Sequence, residues 1–237
     1  TSYSIDGELH ANITYHNHKV VKNAPKSIEV TASGATLQKR SSEIDDKGNV
    51  TQISVAVNDA VEAVYDMEYD TYGNVTKFTR PENNNGERVS VSVKYDDIHN
   101  MFPIEVSDSY GFTSYTEYDK IFGLPTKQTD INGATIEYSY DKKGRLSTLT
   151  APKEAEKGEH TLKFEYILEG EVYKGITHHN TPEGGFEVHA YIDSLGREKY
   201  TETTSNIYNN GVITAKTIRS AYTKYDAFSR KVEQIKA

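Results

Sequence analysis

Val89, Val91, Val93 and Tyr95 alternate with Ser90, Ser92 and Lys94, and Ile136, Tyr138 and Tyr140 alternate with Glu137, Ser139 and Asp141. A period of two sends successive side chains to opposite faces of a pleated backbone, so each run predicts a β-strand with one apolar and one polar face. The pattern recurs at Leu162, Phe164 and Tyr166 and at Phe186, Val188 and Ala190. Upstream, Ile13 with Tyr15 and then Ile28, Val30 and Ala32 predict further strands of the same sheet. No equally long stretch offers a helical period. The segment Pro152 to His160, with Glu154, Glu156 and Glu159 among Lys153, Lys157 and His160, predicts an exposed loop or short helix.

Turn signals punctuate these runs at regular intervals. Tyr-Asp dipeptides stand at Tyr69-Asp70, Tyr95-Asp96, Tyr118-Asp119, Tyr140-Asp141 and Tyr225-Asp226, with degenerate forms at Ile44-Asp45 and Tyr191-Ile192-Asp193. From Asp45 to Asp141 the aspartates are 25, 26, 23 and 22 residues apart. Three residues after Asp45, Asp70, Asp141 and Asp193 comes a glycine: Gly48, Gly73, Gly144 and Gly196. In the copies at Asp96 and Asp119 the candidates for positive φ are Asn100 and Gly123, four residues on, which predicts turns one residue longer. Asp-x-x-Gly reads as a turn whose carboxylate caps nearby N–H groups while glycine takes the left-handed conformation. Val50, Val75 and Leu146 then open the following strands. A second set of turns is expected at Asn84-Asn85-Gly86, Asp108 to Gly111 and Asp130-Ile131-Asn132-Gly133, and looser ones at Gly184-Gly185 and Asn209-Asn210-Gly211. Turns every 10 to 13 residues between positions 73 and 144 belong to a meander of short antiparallel strands.

Composition narrows the function classes. The 237 residues include no Cys, no Trp and 18 Tyr, with 35% apolar residues. Disulfides, a Cys-ligated metal and a Cys nucleophile are excluded. A net charge of -8 argues against a protein that binds duplex nucleic acid by neutralising phosphates. No apolar run approaches the roughly 18 to 20 residues of a membrane span, and Thr1 to His10 lack the basic-then-apolar pattern of a signal peptide.

The segments Tyr69 to Val75 and Tyr140 to Leu146, with the variants Tyr95 to Pro103 and Tyr118 to Pro125, resemble YD repeats. Such repeats occur in Rhs-family proteins, in the BC components of bacterial insecticidal toxin complexes and in teneurins. The block from about Asp45 to Pro152, together with Tyr191 to Arg197, is most similar to the toxin-complex and wall-associated Rhs type. The resemblance implies that each repeat supplies a β-hairpin and that hairpins pair side by side into a strip. In complete family members the strip encloses a C-terminal polypeptide, often a toxin. A closed shell needs several times this length, and the segment that the family uses to free its cargo is not recognisable here, so the resemblance implies a shell segment. It also implies a secreted or cell-surface location in a bacterium, with other YD-repeat segments and an enclosed cargo as partners.

Chemistry beyond structure finds little support in the residues. Tyr at a fixed strand position stacks on the next hairpin and Asp caps its own turn, and a ladder of turns needs both whether or not a ligand exists. The alternative is a glycan-binding or cell-surface protein-binding platform of exposed Tyr rows. His16-Asn17-His18, and His178-His179 with His189, lack a visible third metal ligand. No phosphate loop, nucleophile elbow or His-Glu-x-x-His motif occurs. Sequons at Asn12, Asn49 and Asn74 are better explained by the Gly-Asn-Val-Thr turn motif in two of the three cases.

The sequence therefore predicts an all-β protein of repeated antiparallel β-hairpins in an extended, twisted and curved sheet. Lead-in strands occupy 1–42, regular YD repeats 43–151, a loop or short insertion 152–160, and degenerate hairpins of the same sheet 161–237. The repeat motif comprises Tyr69, Asp70 and Gly73; Tyr95, Asp96 and Asn100; Tyr118, Asp119 and Gly123; Tyr140, Asp141 and Gly144; Tyr191, Asp193 and Gly196; and Tyr225 and Asp226. No catalytic residue, metal or cofactor is expected.

Overall fold

A computed structural model describes residues 2–5, 9–58, 60–169, 172–181, 185–209, 212–220 and 222–235. The chain divides into two units, Thr1–Thr116 and Glu117–Ala237. Both are antiparallel β-structure.

The first unit runs through β1 (Ser2–Ile5), β2 (Leu9–Tyr15), β3 (Pro25–Ala32), β4 (Ala35–Ile44), β5 (Val50–Ala56), β6 (Glu62–Tyr69), β7 (Val75–Glu82), β8 (Arg88–Tyr95), β9 (Pro103–Asp108) and the start of β10 (Thr113–Tyr118). Each strand pairs antiparallel with the next, which is the meander that the turn spacing predicts. The register puts Met67 opposite Phe78 and Phe78 opposite Val91, with Val93 opposite Val106 and Ile53 opposite Tyr65. One face of the sheet is thereby a continuous row of apolar side chains. The reverse face carries Gln52, Asp66, Thr79 and Ser90 in line. There Asp66 accepts hydrogen bonds from Gln52 Nε2 at 2.8 Å and from Arg88 Nη1 at 2.6 Å, and Arg88 also donates to the carbonyls of Val64 and Arg80. The Gln52 amide, against a burial cost, and then the Arg88 guanidinium hold the Asp66 carboxyl below its usual range.

The second unit contains β11 (Pro125–Thr129), β12 (Thr135–Tyr140), β13 (Leu146–Thr150), the single-turn helix α1 (Pro152–Ala155), β14 (Leu162–Glu169), β15 (Val172–His179), β16 (Phe186–Ile192), β17 (Glu198–Asn209), β18 (Val212–Arg219), β19 (Tyr222–Tyr225) and β20 (Lys231–Ile235). Strands β11 to β18 again pair in succession. The hairpin β19–β20 is a separate pair that touches β17. Pro152 starts α1, where its missing N–H costs nothing, and Thr161 ties the helix back by donating to Glu154 Oε2 at 2.9 Å. Gly184, Asn210 and Gly211, expected in turns, lie outside the described residues.

Among the described residues neither unit seals a core. Among the described residues Ile176 is the one buried apolar side chain, joined by the polar Ser54, Thr150 and Thr223. The chain exposes 16521 Å², whereas two compact globules of half its mass expose about 12,900 Å² together. The apolar rows are half-buried by their cross-strand neighbours and no further.

Candidate functional site: an Asp-capped turn and the tyrosine that clamps it

The repeated unit is a five-residue turn with one geometry. Seven begin at Asp45, Asp70, Asp108, Asp130, Asp141, Asp193 and Asp226, and an eighth begins at Asn83 rather than at Asn84. In each, the N–H of the first residue donates to the carbonyl of the fifth, and the first carbonyl accepts the N–H of the fourth. The first side-chain oxygen accepts the N–H groups of the third and fifth residues, at 2.8 to 3.0 Å. The fourth residue has positive φ, from 63° at Ser229 to 93° at Gly48. Glycine fits there because it lacks the Cβ that would meet the preceding carbonyl.

The copies at Asp96 and Asp119 are longer. Asp119 closes on Leu124, one residue later than the standard turn, with Gly123 at φ 65°. Asp96 closes on Phe102, two residues later, so the expectation of one extra residue is corrected there. Asn100 takes the positive φ at 54°, but Met101 and Phe102 still precede Pro103 and must be accommodated before β9 begins. The Asp96 carboxylate compensates by accepting four N–H groups, from Ile98, His99, Met101 and Phe102. Burial works against the Asp96 carboxylate, and these N–H bonds outweigh it and pull its pKa far down.

The fifth residue secures the second carboxylate oxygen. Asn49 and Asn74 donate their amides to Asp45 and Asp70 at 2.9 and 2.8 Å. Arg145, Arg197 and Arg230 donate Nε to Asp141, Asp193 and Asp226 at 2.7 to 2.8 Å. These aspartates are held below the usual carboxylate range. The Asn49 amide leads at Asp45 and the Arg145 N–H at Asp141; at Asp70 the Asn74 bonds overcome a larger burial cost.

The tyrosine before the turn reaches one hairpin back. Directly after each standard Tyr-Asp turn the register slips by one residue, as between Glu68 and Tyr69 or between Ser139 and Tyr140, which is a β-bulge. Beside these bulges the ladder between hairpins stops early, its last pairs being Gln52 with Asp66, Lys77 with Ser92 and Thr148 with Lys163; the ladder between β11 and β12 stops likewise at Lys127 with Glu137. Three residues beyond each pair stands a tyrosine. Tyr69 donates its hydroxyl to the Val50 carbonyl at 2.7 Å, Tyr95 to Val75 at 3.0 Å, Tyr140 to Pro125 at 2.6 Å and Tyr166 to Leu146 at 3.0 Å. Tyr225 donates to the Glu198 carbonyl at 2.9 Å. The acceptor is always the first strand residue after the preceding turn. A hydroxyl thus serves a carbonyl that the ladder between hairpins does not reach. Burial, with the nearby Asp45 carboxylate for Tyr69 and Asp70 for Tyr95, raises both phenols.

Neighbouring turns also touch directly. Asn74 Nδ2 donates to the Asn100 carbonyl at 2.5 Å, and Lys47 Nζ to the Thr71 carbonyl at 3.2 Å. A Cβ on Gly144 would lie 3.0 Å from the Phe122 ring. Arg145 stacks on Tyr166 at 4.2 Å and Arg197 on Tyr225 at 4.6 Å.

Tyr191 departs from the pattern: its hydroxyl goes to Glu202 Oε2 at 2.9 Å, its ring stacks on Tyr200, and Ile192 fills the place before Asp193. Tyr118 ends β10 directly before the Asp119 turn. The ring stacking expected between successive repeats is replaced, at Tyr69, Tyr95 and Tyr140, by hydroxyl-to-carbonyl bonds. Sequence reasoning missed Tyr166, which has no following Asp; its place 20 residues after Leu146 was the available signal. It also missed Ser229 in the glycine position.

The histidines are engaged locally. His18 Nε2 bonds the Asp46 carbonyl while Nδ1 accepts the N–H groups of Val20 and Val21, and His16 meets Ser42. His178 and His189 both face Glu187 at 2.9 Å. Among the described residues no three His, Cys, Asp or Glu side chains converge as a metal site.

Residues 122–155 match the family model of the RHS repeat. No curated protein sequence matches the chain. Among solved structures, similarity extends to a crystal structure of TcdB2-TccC3-TEV, with TM-score 0.40, 10% identity and coverage of 97% of this chain. It extends also to one of TcdB2-TccC3-Cdc42, with TM-score 0.37, 11% identity and 96% coverage. This chain spans 15% and 14% of the length of those two. Residues 122–155 thus carry the match to an RHS repeat, and the turn inside that stretch recurs along the chain from Asp45 to Asp226.

Proposed function

We propose that this chain is a non-enzymatic wall segment of a β-shell that encloses or presents a C-terminal polypeptide, a toxin-like cargo, in an Rhs-type protein. Its lateral partners are other YD-repeat segments of the same parent chain, and its place is outside the bacterium or on its surface. The observation that carries this reading is a sheet whose turns lock to one another while its apolar rows stay unsealed, with one buried apolar side chain among the described residues. A wall needs rigid lateral joints and a face that something else covers. Among the described residues no helix is long and apolar enough to cross a membrane. Recognition of glycan through Tyr rows is the weaker reading, since Tyr69, Tyr95, Tyr140 and Tyr225 use their hydroxyls on backbone carbonyls.

Protease digestion of the longer chain that carries this segment tests the reading. The C-terminal polypeptide is expected to resist cleavage until urea unfolds the wall, and to become sensitive over the same range. Cleavage at the rate of the free polypeptide while the wall is still folded would sink the proposal.

A further inference from the structure

Two surfaces in the second unit receive a tyrosine in the same way. Arg145 stacks on Tyr166 while the next carbonyl, Leu146, accepts its hydroxyl at 3.0 Å. Arg197 stacks on Tyr225 while Glu198 accepts at 2.9 Å. Each surface is an arginine held by its own turn aspartate, followed by a carbonyl at the start of a bulged strand. The turn at Asp226 builds a third: Arg230 is bound to Asp226 at 2.7 Å, Lys231 opens β20, and the register slips between Lys224 and Tyr225. The covered arginines are 42% (Arg145) and 23% (Arg197) exposed, whereas Arg230 is 74% exposed. All five residues of β20 are exposed, and among the described strands β20 pairs only with β19.

We propose that Arg230 and the Lys231 carbonyl form the acceptor half of a further tyrosine clamp, whose occupant is a tyrosine-bearing strand of a neighbouring repeat hairpin. The internal joints supply the argument for that occupant: each time the same arginine and carbonyl occur covered they receive a strand tyrosine, Tyr166 from within β14 and Tyr225 from the end of β19. A second copy docking β20 against β20 brings no tyrosine, because the strand reads Lys-Val-Glu-Gln-Ile. The proposal deepens the wall reading by naming the contact through which a neighbouring repeat attaches. It does not depend on any cargo.

The probe is a synthetic hairpin with the sequence of residues 133–150, closed by a terminal disulfide and titrated by fluorescence anisotropy into the full chain. Saturable binding is expected, weaker by roughly fivefold when the hairpin carries Tyr140→Phe, the loss of one hydroxyl bond. Arg230→Asn in the chain keeps the aspartate bond that Asn49 and Asn74 make and gives up within the chain only an exposed contact with the Phe228 ring at 5.4 Å, so its urea midpoint should hold while affinity falls about threefold through the lost cation–π contact with the probe. Absence of saturable binding overturns the proposal, as does binding indifferent to both substitutions or self-association through β20 that the hairpin fails to displace. A surface-binding protein with the same joints would still bind the hairpin, so this result stands or falls separately from cargo protection.

Discussion

At the level of single residues, the clamp assigns a cost to one oxygen atom. The Tyr140 hydroxyl serves the Pro125 carbonyl beyond the last pair of the β11–β12 ladder, Lys127 with Glu137. Tyr140→Phe keeps the ring and orphans that carbonyl, so a loss of about 1 kcal/mol in urea denaturation is expected. Tyr72 is 68% exposed on a turn, and Tyr72→Phe should leave the midpoint unmoved. Equal effects from the two would show that the hydroxyl bond contributes nothing. The fourth turn position gives a pair of opposite sign. Gly144→Val forces a β-branched residue to φ 76° with its Cβ 3.0 Å from Phe122, and about 1 to 3 kcal/mol should be lost. Ser229 already sits at φ 63°, so Ser229→Gly should raise the stability by about 0.5 kcal/mol, relief of the left-handed strain partly offset by backbone entropy. The tyrosines, aspartates and glycines of these turns are legible in the sequence because their chemistry is local. The acceptor is not, since it is a backbone carbonyl on another hairpin and any side chain can stand there: Val50, Val75, Pro125, Leu146 and Glu198 all do.

At the level of the hairpin, ionisation sets the range over which the joint holds. Asp45, Asp70, Asp96, Asp141, Asp193 and Asp226 all titrate below their usual value in the folded chain. A depressed carboxylate stabilises the fold above its unfolded pKa, and that contribution is lost as pH falls through the folded one. Tyr69, Tyr95 and Tyr140 are raised, chiefly by burial, so their contribution is complete below the unfolded value and is lost as pH climbs through the folded one. Urea midpoints should therefore be flat between about pH 5 and 9, falling below about pH 4 and again above about pH 10. A maximum at either extreme would contradict the capping assignment. Most hairpins were legible from alternation and turn residues together, as with β8 between Gly86 and Asp96. The Asp96 turn was not fully so: Asn100 marked the positive φ, but the closure at Phe102 depends on where Pro103 can enter β9.

For the whole molecule, the decisive quantity is surface. An unfolded chain of 26.6 kDa exposes about 38,600 Å², and two compact units of half that mass would bury about 25,700 Å² of it. With 16521 Å² still exposed, this chain buries about 22,000 Å². The alternating pattern foretold half of this: it predicts strands with one wet face but is silent on whether the apolar face finds a second layer within the same chain. Heat capacity distinguishes the cases, because hydration of newly exposed apolar surface is its main source. A compact protein of 237 residues should unfold with ΔCp of about 3 kcal/mol/K. The isolated chain is expected to fall short by about a seventh, in proportion to the area it leaves uncovered. Scanning calorimetry at several protein concentrations checks this, since self-association through open sheet edges would conceal part of the deficit and make Tm concentration-dependent. A full ΔCp that does not vary with concentration would mean that the apolar rows are sealed within the chain itself, and a wall that needs no cover would lose its main physical support.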